Sequence, residues 1–159
     1  MANGTAEAFV ADQQRKLRDI RRRMLGTLGQ LSEADVHWRP GEHSNSVANL
    51  VAHVCGNLTQ RYVAQMGGAP DVRDRAAEFS LELHRTVDQL QWMVDSTFDA
   101  VDEVLSGITP ERLMETVVLR DRQEPLLHVI THTINHASEH LGQMLYIAKM
   151  RLGPAWKSV

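Results

Sequence analysis

Four long segments of the sequence carry apolar residues three and four positions apart, which is the period of an amphipathic helix. The segments run over about residues 5–30, 46–66, 79–106 and 125–151. Segments with the alternating pattern of a half-buried strand are almost absent. Because each apolar stripe has to be buried against a neighbour, this pattern predicts an all-α protein built as a four-helix bundle.

The connections between these segments contain turn and cap residues. Ser46 is placed to cap the second helix, and Pro40 with Gly41 predicts a loop before it. This first connection is long, so simple up-down-up-down order does not follow. The stretch "METVVLR" (114–120) is rich in β-branched residues and is expected to be extended, although too short and solitary to form a sheet.

Size and composition place the chain in a broad class. Its 159 residues fit one domain, 1–159, with a sizeable core. The formal net charge of −3 argues against general nucleic-acid binding. No apolar run approaches the roughly 20 residues of a membrane helix, and no signal segment opens the chain. The single Cys55 suits a reducing compartment. We therefore expect a cytoplasmic protein that is not bound to a membrane.

Four of the eight histidines form a column at spacing four in the last segment, namely His128, His132, His136 and His140. Residues four apart lie one turn apart on the same helix face, so two neighbouring imidazoles can bind one metal ion. The whole column spans about 18 Å of helix and therefore cannot share one ion. At most one adjacent pair can do so, and the spacing does not identify the pair.

A third imidazole would have to come from another helix. The candidates are His37, His43, His53 and His84. The first two fall in or beside a loop, and His84 lies near a helix end. His53 lies in the middle of the second segment on the face that is directed inward, which makes it the best candidate on spacing.

Two other interpretations of these residues remain open. The column could be a solvated helix face, with His53 a core-edge histidine hydrogen-bonded to Asn49 or Asn57. The letters "HASEH" (136–140) also match the H-x-x-E-H pattern of a class of zinc peptidases, with Glu139 as the general base. That mechanism needs a carboxylate ligand on a later helix, and only a few residues follow position 151.

Three blocks of sequence resemble the DinB/YfiT-like superfamily of metalloenzymes, and within it an uncharacterised subfamily of domain-of-unknown-function proteins. The blocks are "NSVANLVAHVCGNLTQRY" (45–62), "GGAPDVRDRAAEF" (67–79) and "HASEHLGQMLYIAK" (136–149), in this order and at compatible separations. The resemblance covers most of the chain from Trp38 to Met150. It implies a four-helix bundle of the DinB/YfiT-like type.

The resemblance also implies a metal site formed by His53, His136 and His140, with nickel or zinc as the ion. It leaves His132 beside the site or on the surface. Position 139 is not a fixed glutamate in the superfamily, which argues against Glu139 as an obligatory base. Relatives are frequently homodimers, and some are transferases or isomerases that use an external low-molecular-weight thiol.

The arginine-rich block contributes Arg73, Arg75 and Glu78. These side chains either bind an anionic substrate or brace their loop by ion pairs, and bracing is the role we expect.

Three neutral imidazoles would leave a divalent ion with its full charge and with open coordination positions. Such an ion activates water or deprotonates a bound thiol. Cys55 points about 200° away from His53 around the helix, so it is expected in the core and the thiol would come from outside. The expected function is a metal-dependent thiol S-transferase or hydrolase acting on a small molecule. The alternative is a non-catalytic metal-binding bundle that binds a ligand or partner.

Overall fold

The computed structural model describes residues 2–119 and 122–159. Four long helices dominate it, and shorter elements connect them. In chain order the elements are α1 (Ala2–Leu28), α2 (Glu33–His37), α3 (Val47–Leu58) with a π-helical continuation (Thr59–Met66), α4 (Arg75–Glu78), α5 (Val87–Ser106), α6 (Pro110–Leu113), β1 (Thr116–Leu119), β2 (Arg122–Pro125) and α7 (Leu126–Leu152), followed by a short 3₁₀ turn (Gly153–Ala155).

The four long helices form the predicted bundle. Helix α1 packs against α5 and α7, and α3 packs against the same two helices on the other side. Their apolar stripes meet in one core, in which Met24, Leu58, Val94 and Ile134 are buried. The prediction of an all-α four-helix bundle is therefore confirmed. No helix within the described residues combines the length and the apolar character needed to cross a bilayer.

The third long helix begins later than predicted. It starts at Val87 and not near residue 79, because Thr86 forms a capping box with Gln89. The Thr86 hydroxyl accepts a hydrogen bond from the backbone N–H of Gln89 at 3.1 Å. Oε1 of Gln89 accepts one from the backbone N–H of Thr86, also at 3.1 Å. The preceding residues form the short helix α4 and a loop. The prediction of one continuous helix over 79–106 was wrong for this reason.

A second difference concerns the extended stretch after α6. Strands β1 and β2 pair antiparallel, with Thr116 opposite Pro125. The Leu126 amide donates to the Glu115 carbonyl oxygen at 2.9 Å, which joins the base of this hairpin to the start of α7. The expectation that this stretch is too solitary for a sheet was wrong. Its partner strand, "RQEP", is polar and lacks the alternation by which a strand is recognised.

Candidate metal centre

Three imidazoles converge between helices α3 and α7. His53 comes from the middle of α3, whereas His136 and His140 lie one turn apart on α7. The Nε2 atom of His136 lies 3.2 Å from Nε2 of His53 and 3.1 Å from Nε2 of His140. One ring nitrogen from each of the three lies within 4.8 Å of the other two. The structure thus brings together the three histidines that the resemblance to the DinB/YfiT-like superfamily implied.

His53 is oriented by a carboxylate on the side away from the cluster. Its Nδ1 lies 2.9 Å from Oε2 of Glu78, and both side chains are buried. Because an ionised carboxylate only accepts hydrogen bonds, the proton belongs on Nδ1. The lone pair of Nε2 is then directed toward His136 and His140. The ring of Phe79, 4.7 Å away between centroids, packs against the same imidazole.

Glu78 is paired with a buried arginine. Arg73 donates from Nε to Oε1 at 2.6 Å and from Nη2 to Oε2 at 2.8 Å, and its Nη1 donates to Oε1 of Gln60 at 2.9 Å. Burial alone would raise the pKa of Glu78, but hydrogen bonds from Arg73 and His53 outweigh it, so the pKa lies below its ordinary value. The carboxylate is therefore charged near neutral pH.

Gly56 makes room for this ion pair on the surface of α3. A Cβ at Gly56 would lie 2.0 Å from Oε1 of Glu78 and 2.9 Å from its Cδ. The carboxylate therefore rests directly against the helix backbone. Two turns earlier on α3, the side-chain amide Nδ2 of Asn49 donates to the carbonyl oxygens of Glu78 at 2.8 Å and Ser80 at 3.1 Å. These contacts hold α4 and its loop against α3.

The two histidines of α7 differ in their hydrogen bonding. His140 donates from Nδ1 to Oε1 of Gln143 at 3.0 Å, which leaves the Nε2 lone pair facing the cluster. Nδ1 of His136 is buried and has no hydrogen-bond partner among residues 2–119 and 122–159. Burial, reinforced by the neighbouring His140 and His53, lowers the pKa of His136 to about 4. Burial also lowers the pKa of His140, which keeps both rings neutral near pH 7.

These hydrogen bonds leave the three facing Nε2 atoms with fewer N–H donors than lone-pair acceptors. The Nε2 lone pairs of His53 and His140 both face Nε2 of His136, which can donate at most one hydrogen. A single cation among the three nitrogens would accept all three lone pairs. Neutral imidazole nitrogens are preferred ligands of zinc and nickel, and tetrahedral ligands at 2.0–2.1 Å from zinc are about 3.3 Å apart. The donor set fits such an ion, as do the two spacings to His136, 3.1 and 3.2 Å, and the third pair of nitrogens lies within 4.8 Å.

The other candidate histidines lie elsewhere. Nε2 of His37 lies 2.9 Å from the carbonyl oxygen of Arg85, and the ring of His84 contacts the edge of His37 at 5.7 Å between centroids. His43 is exposed. Glu139 is also exposed and is not part of the cluster, so the geometry gives no support to the peptidase interpretation.

The partner of His53 was not identified from the sequence. Neither Asn49 nor Asn57 fills this place. Glu78 does, from the last residue of α4, 25 residues further along the chain. The expected bracing role is found for Arg73 and Glu78. The signal available in the sequence was the acidic residue at the end of the arginine-rich block "RDRAAE".

Cys55 is buried in the core, as its position on α3 predicted. Its Sγ is directed toward the carbonyl oxygen of Met93 at 3.8 Å, on the side of α5. Burial raises the pKa of the Cys55 thiol to about 12. This thiol is therefore neither a ligand nor a nucleophile for the cluster.

Several solved structures share this fold. The DinB-like protein YjoA of Bacillus subtilis is 16% identical, with a TM-score of 0.69 over 88% of this chain and 92% of that chain. A conserved protein of Enterococcus faecalis is 18% identical, with a TM-score of 0.71 over 89% and 95% of the two chains. A DinB-like protein of Bacillus cereus is 14% identical, with a TM-score of 0.71 over 91% of each chain. At these identities the similarity establishes the fold.

A family model places the sequence more closely. Residues 4–159 match the model described as "Protein of unknown function (DUF1572)". A search among curated proteins gave no match. Since the family model covers nearly the whole chain, this chain belongs to the DUF1572 family, and it shares its fold with the DinB-like proteins.

Proposed function

We propose that the chain binds one divalent metal ion, nickel or zinc, through Nε2 of His53, His136 and His140. We further propose that the bound ion supports a thiol-dependent S-transferase or hydrolase reaction. The observation that carries the proposal is the convergence of three imidazoles from two helices, with two inward lone pairs and too few hydrogens to satisfy them.

Three protein ligands are the number typical of catalytic zinc sites, which keep an open position for water or substrate. An ion held there would lower the pKa of bound water and deprotonate a bound thiol. The protein's part is to hold the ligands. Glu78 keeps the proton of His53 on Nδ1, and Gln143 does the same for His140. Because Cys55 is buried, the thiol would be an external small molecule.

A specific observation also supports the second function, a metal-stabilised bundle that binds a ligand or partner without chemistry. The ligand His53 is tied through Glu78 and Arg73 to the loop that precedes α5. An ion shared by α3 and α7 would extend this network across the bundle. In that case the metal would add stability and the open position would have no reactive role.

The first experiment measures metal content. Protein purified without a histidine tag is analysed for metals, together with His53→Ala and His140→Ala. The control is His84→Ala, which removes an exposed imidazole outside the cluster. We expect about one equivalent of metal in the parent chain and in the control, and loss in both cluster variants. Unchanged metal content in the cluster variants would refute the site.

A second experiment separates the two functions. The metal-loaded protein is screened with low-molecular-weight thiols paired with electrophiles, and with hydrolysable esters and amides. Turnover that requires the metal and is lost in His140→Ala supports the enzyme. Full metal occupancy without turnover supports the binding module.

The resemblance further leads us to propose a cytoplasmic homodimer of a single-domain chain, 1–159. Light scattering coupled to size exclusion tests the dimer, and a monomeric mass at micromolar concentration would refute it.

A further inference from the structure

A cleft adjoins the candidate metal centre. It lies between the end of α3, strand β2 and α7, has a volume of about 430 Å³, and includes His136 in its wall. Small-molecule sites typically measure about 300–1,000 Å³. Because His136 belongs both to this cleft and to the imidazole cluster, a molecule in the cleft lies next to the cluster.

The charges that line the cleft are predominantly basic. Arg61 from the π-helical segment and Arg122 from β2 contribute guanidinium groups, and Glu124 contributes a carboxylate. Arg61 also donates to Oε1 of Gln65 at 3.1 Å, which holds its side chain in place. The lining residues thus bring two guanidinium groups and one carboxylate to the cleft. A guanidinium offers two parallel donors that match a carboxylate.

The remaining pair of the histidine column also lines this cleft. The rings of His128 and His132 are parallel, with centroids 6.3 Å apart and an interplanar angle of 7°. A neutral imidazole presents one N–H donor and one acceptor, so each ring can donate to an anion without carrying a charge. His128 and His132, which do not belong to the imidazole cluster, thus face the same cleft as the two arginines.

We propose that this cleft binds a small carboxylate-bearing molecule, with its carboxylate on Arg61 and Arg122 and its other end directed past His136 toward the metal. The orientation toward the metal rests on the proposed function; the anion site itself does not. The substrate class is then a small organic acid.

A spectroscopic experiment on cobalt-substituted protein tests the orientation. Thiolate binding to Co²⁺ gives a charge-transfer band, which is titrated with 3-mercaptopropionate and with 2-mercaptoethanol. We expect 3-mercaptopropionate to bind at least about tenfold more tightly, since a hydrogen bond to a charged group contributes that much. Arg122→Gln and Arg61→Gln should bring the two affinities close together. Arg18→Gln, an exposed change of the same charge outside the cleft, should retain the preference.

A second arm uses the metal-free protein and NMR. Succinate should shift the signals of Arg61, Arg122 and His132, and these shifts should be absent in Arg122→Gln.

If Co²⁺ does not bind while succinate produces these shifts, the metal proposal fails and the anion site stands. Equal thiol affinities with no succinate shifts would overturn the anion site. Tighter binding of inorganic phosphate than of succinate would overturn the assignment to a carboxylate. Arg122 is exposed, so its variant decides the test even if Arg61→Gln does not fold.

Discussion

Nδ1 of His53 and Oε2 of Glu78 lie 2.9 Å apart in a buried pair that connects the imidazole cluster to Arg73. A carboxylate on the far nitrogen of a histidine sets its tautomer and increases its basicity as a ligand. The pair therefore links the position of α4 to the metal affinity of the candidate site.

Glu78→Gln should weaken metal binding about 10- to 100-fold, as removal of such an outer partner usually does. The amide still accepts from His53, but the negative charge is lost and Arg73 is left buried without its counter-ion. Competition titration against a chromogenic chelator measures the affinity. Glu82→Gln, an exposed change in the loop that follows α4, is the control. Equal affinities for Glu78→Gln and the parent would contradict the role of Glu78.

Two glycine-to-alanine changes should have opposite effects on the free energy of unfolding. Gly56→Ala places a Cβ against the Glu78 carboxylate and should destabilise the metal-free protein by about 1–3 kcal/mol. Gly142 lies on an exposed part of α7 with nothing within 4 Å of an added Cβ. Its replacement by alanine should stabilise by roughly 0.5–1 kcal/mol. Urea unfolding measures both, and a stable Gly56→Ala protein would show that the carboxylate can move away at little cost.

Metal should raise the melting temperature of the protein through binding to the native state alone. At a free concentration of 100 times Kd the gain is about 2.7 kcal/mol, or roughly 5–10 °C for a chain of this length. The increase should vanish in His136→Ala and persist in His132→Ala. Differential scanning calorimetry with and without Zn²⁺ or Ni²⁺ gives the result. A metal-dependent increase that survives in His136→Ala would place the ion at another site.

Cys55 should be inert in the native protein. With a pKa of about 12, less than about one thiol in a thousand is ionised at pH 8, and the side chain is buried. An aromatic disulfide reagent should therefore react slowly with the folded chain and fully in urea. Cys55→Ala should keep the metal affinity of the parent. Rapid native modification, or loss of metal in Cys55→Ala, would make this cysteine part of the site.

The helices were largely predictable because their apolar period is a local property of the chain. The errors occurred where a tertiary contact decided the outcome. Residues 79–86 have apolar positions that continue the period of α5. The side chain of Asn49, however, donates a hydrogen bond to the carbonyl oxygen of Ser80, which holds this stretch against α3. The helix begins only after the N-cap residue Thr86. Strand β2 has no pattern of its own and exists through its pairing with β1.

The candidate site was predictable in part. The spacing of the four histidines on α7 limited a shared ion to one adjacent pair, and resemblance to a family pointed to His136 and His140. Glu78 could not be found in this way, because its contact with His53 depends on the path of the loop across α3. The sequence also could not show that Arg61 and Arg122 line the same cleft, since the two residues lie on different elements.

By itself, the sequence determined four amphipathic helices, a column of histidines at one-turn spacing, and a mid-helix histidine on the inward face of α3. These are local properties, fixed by helical geometry and by the order of polar and apolar residues. Only the tertiary structure decided which part of the column meets His53, that Glu78 orients that histidine, and that the unused part of the column lines a basic cleft. The rotation and relative height of α3 and α7 depend on the packing of the whole core, which no single segment of the sequence specifies.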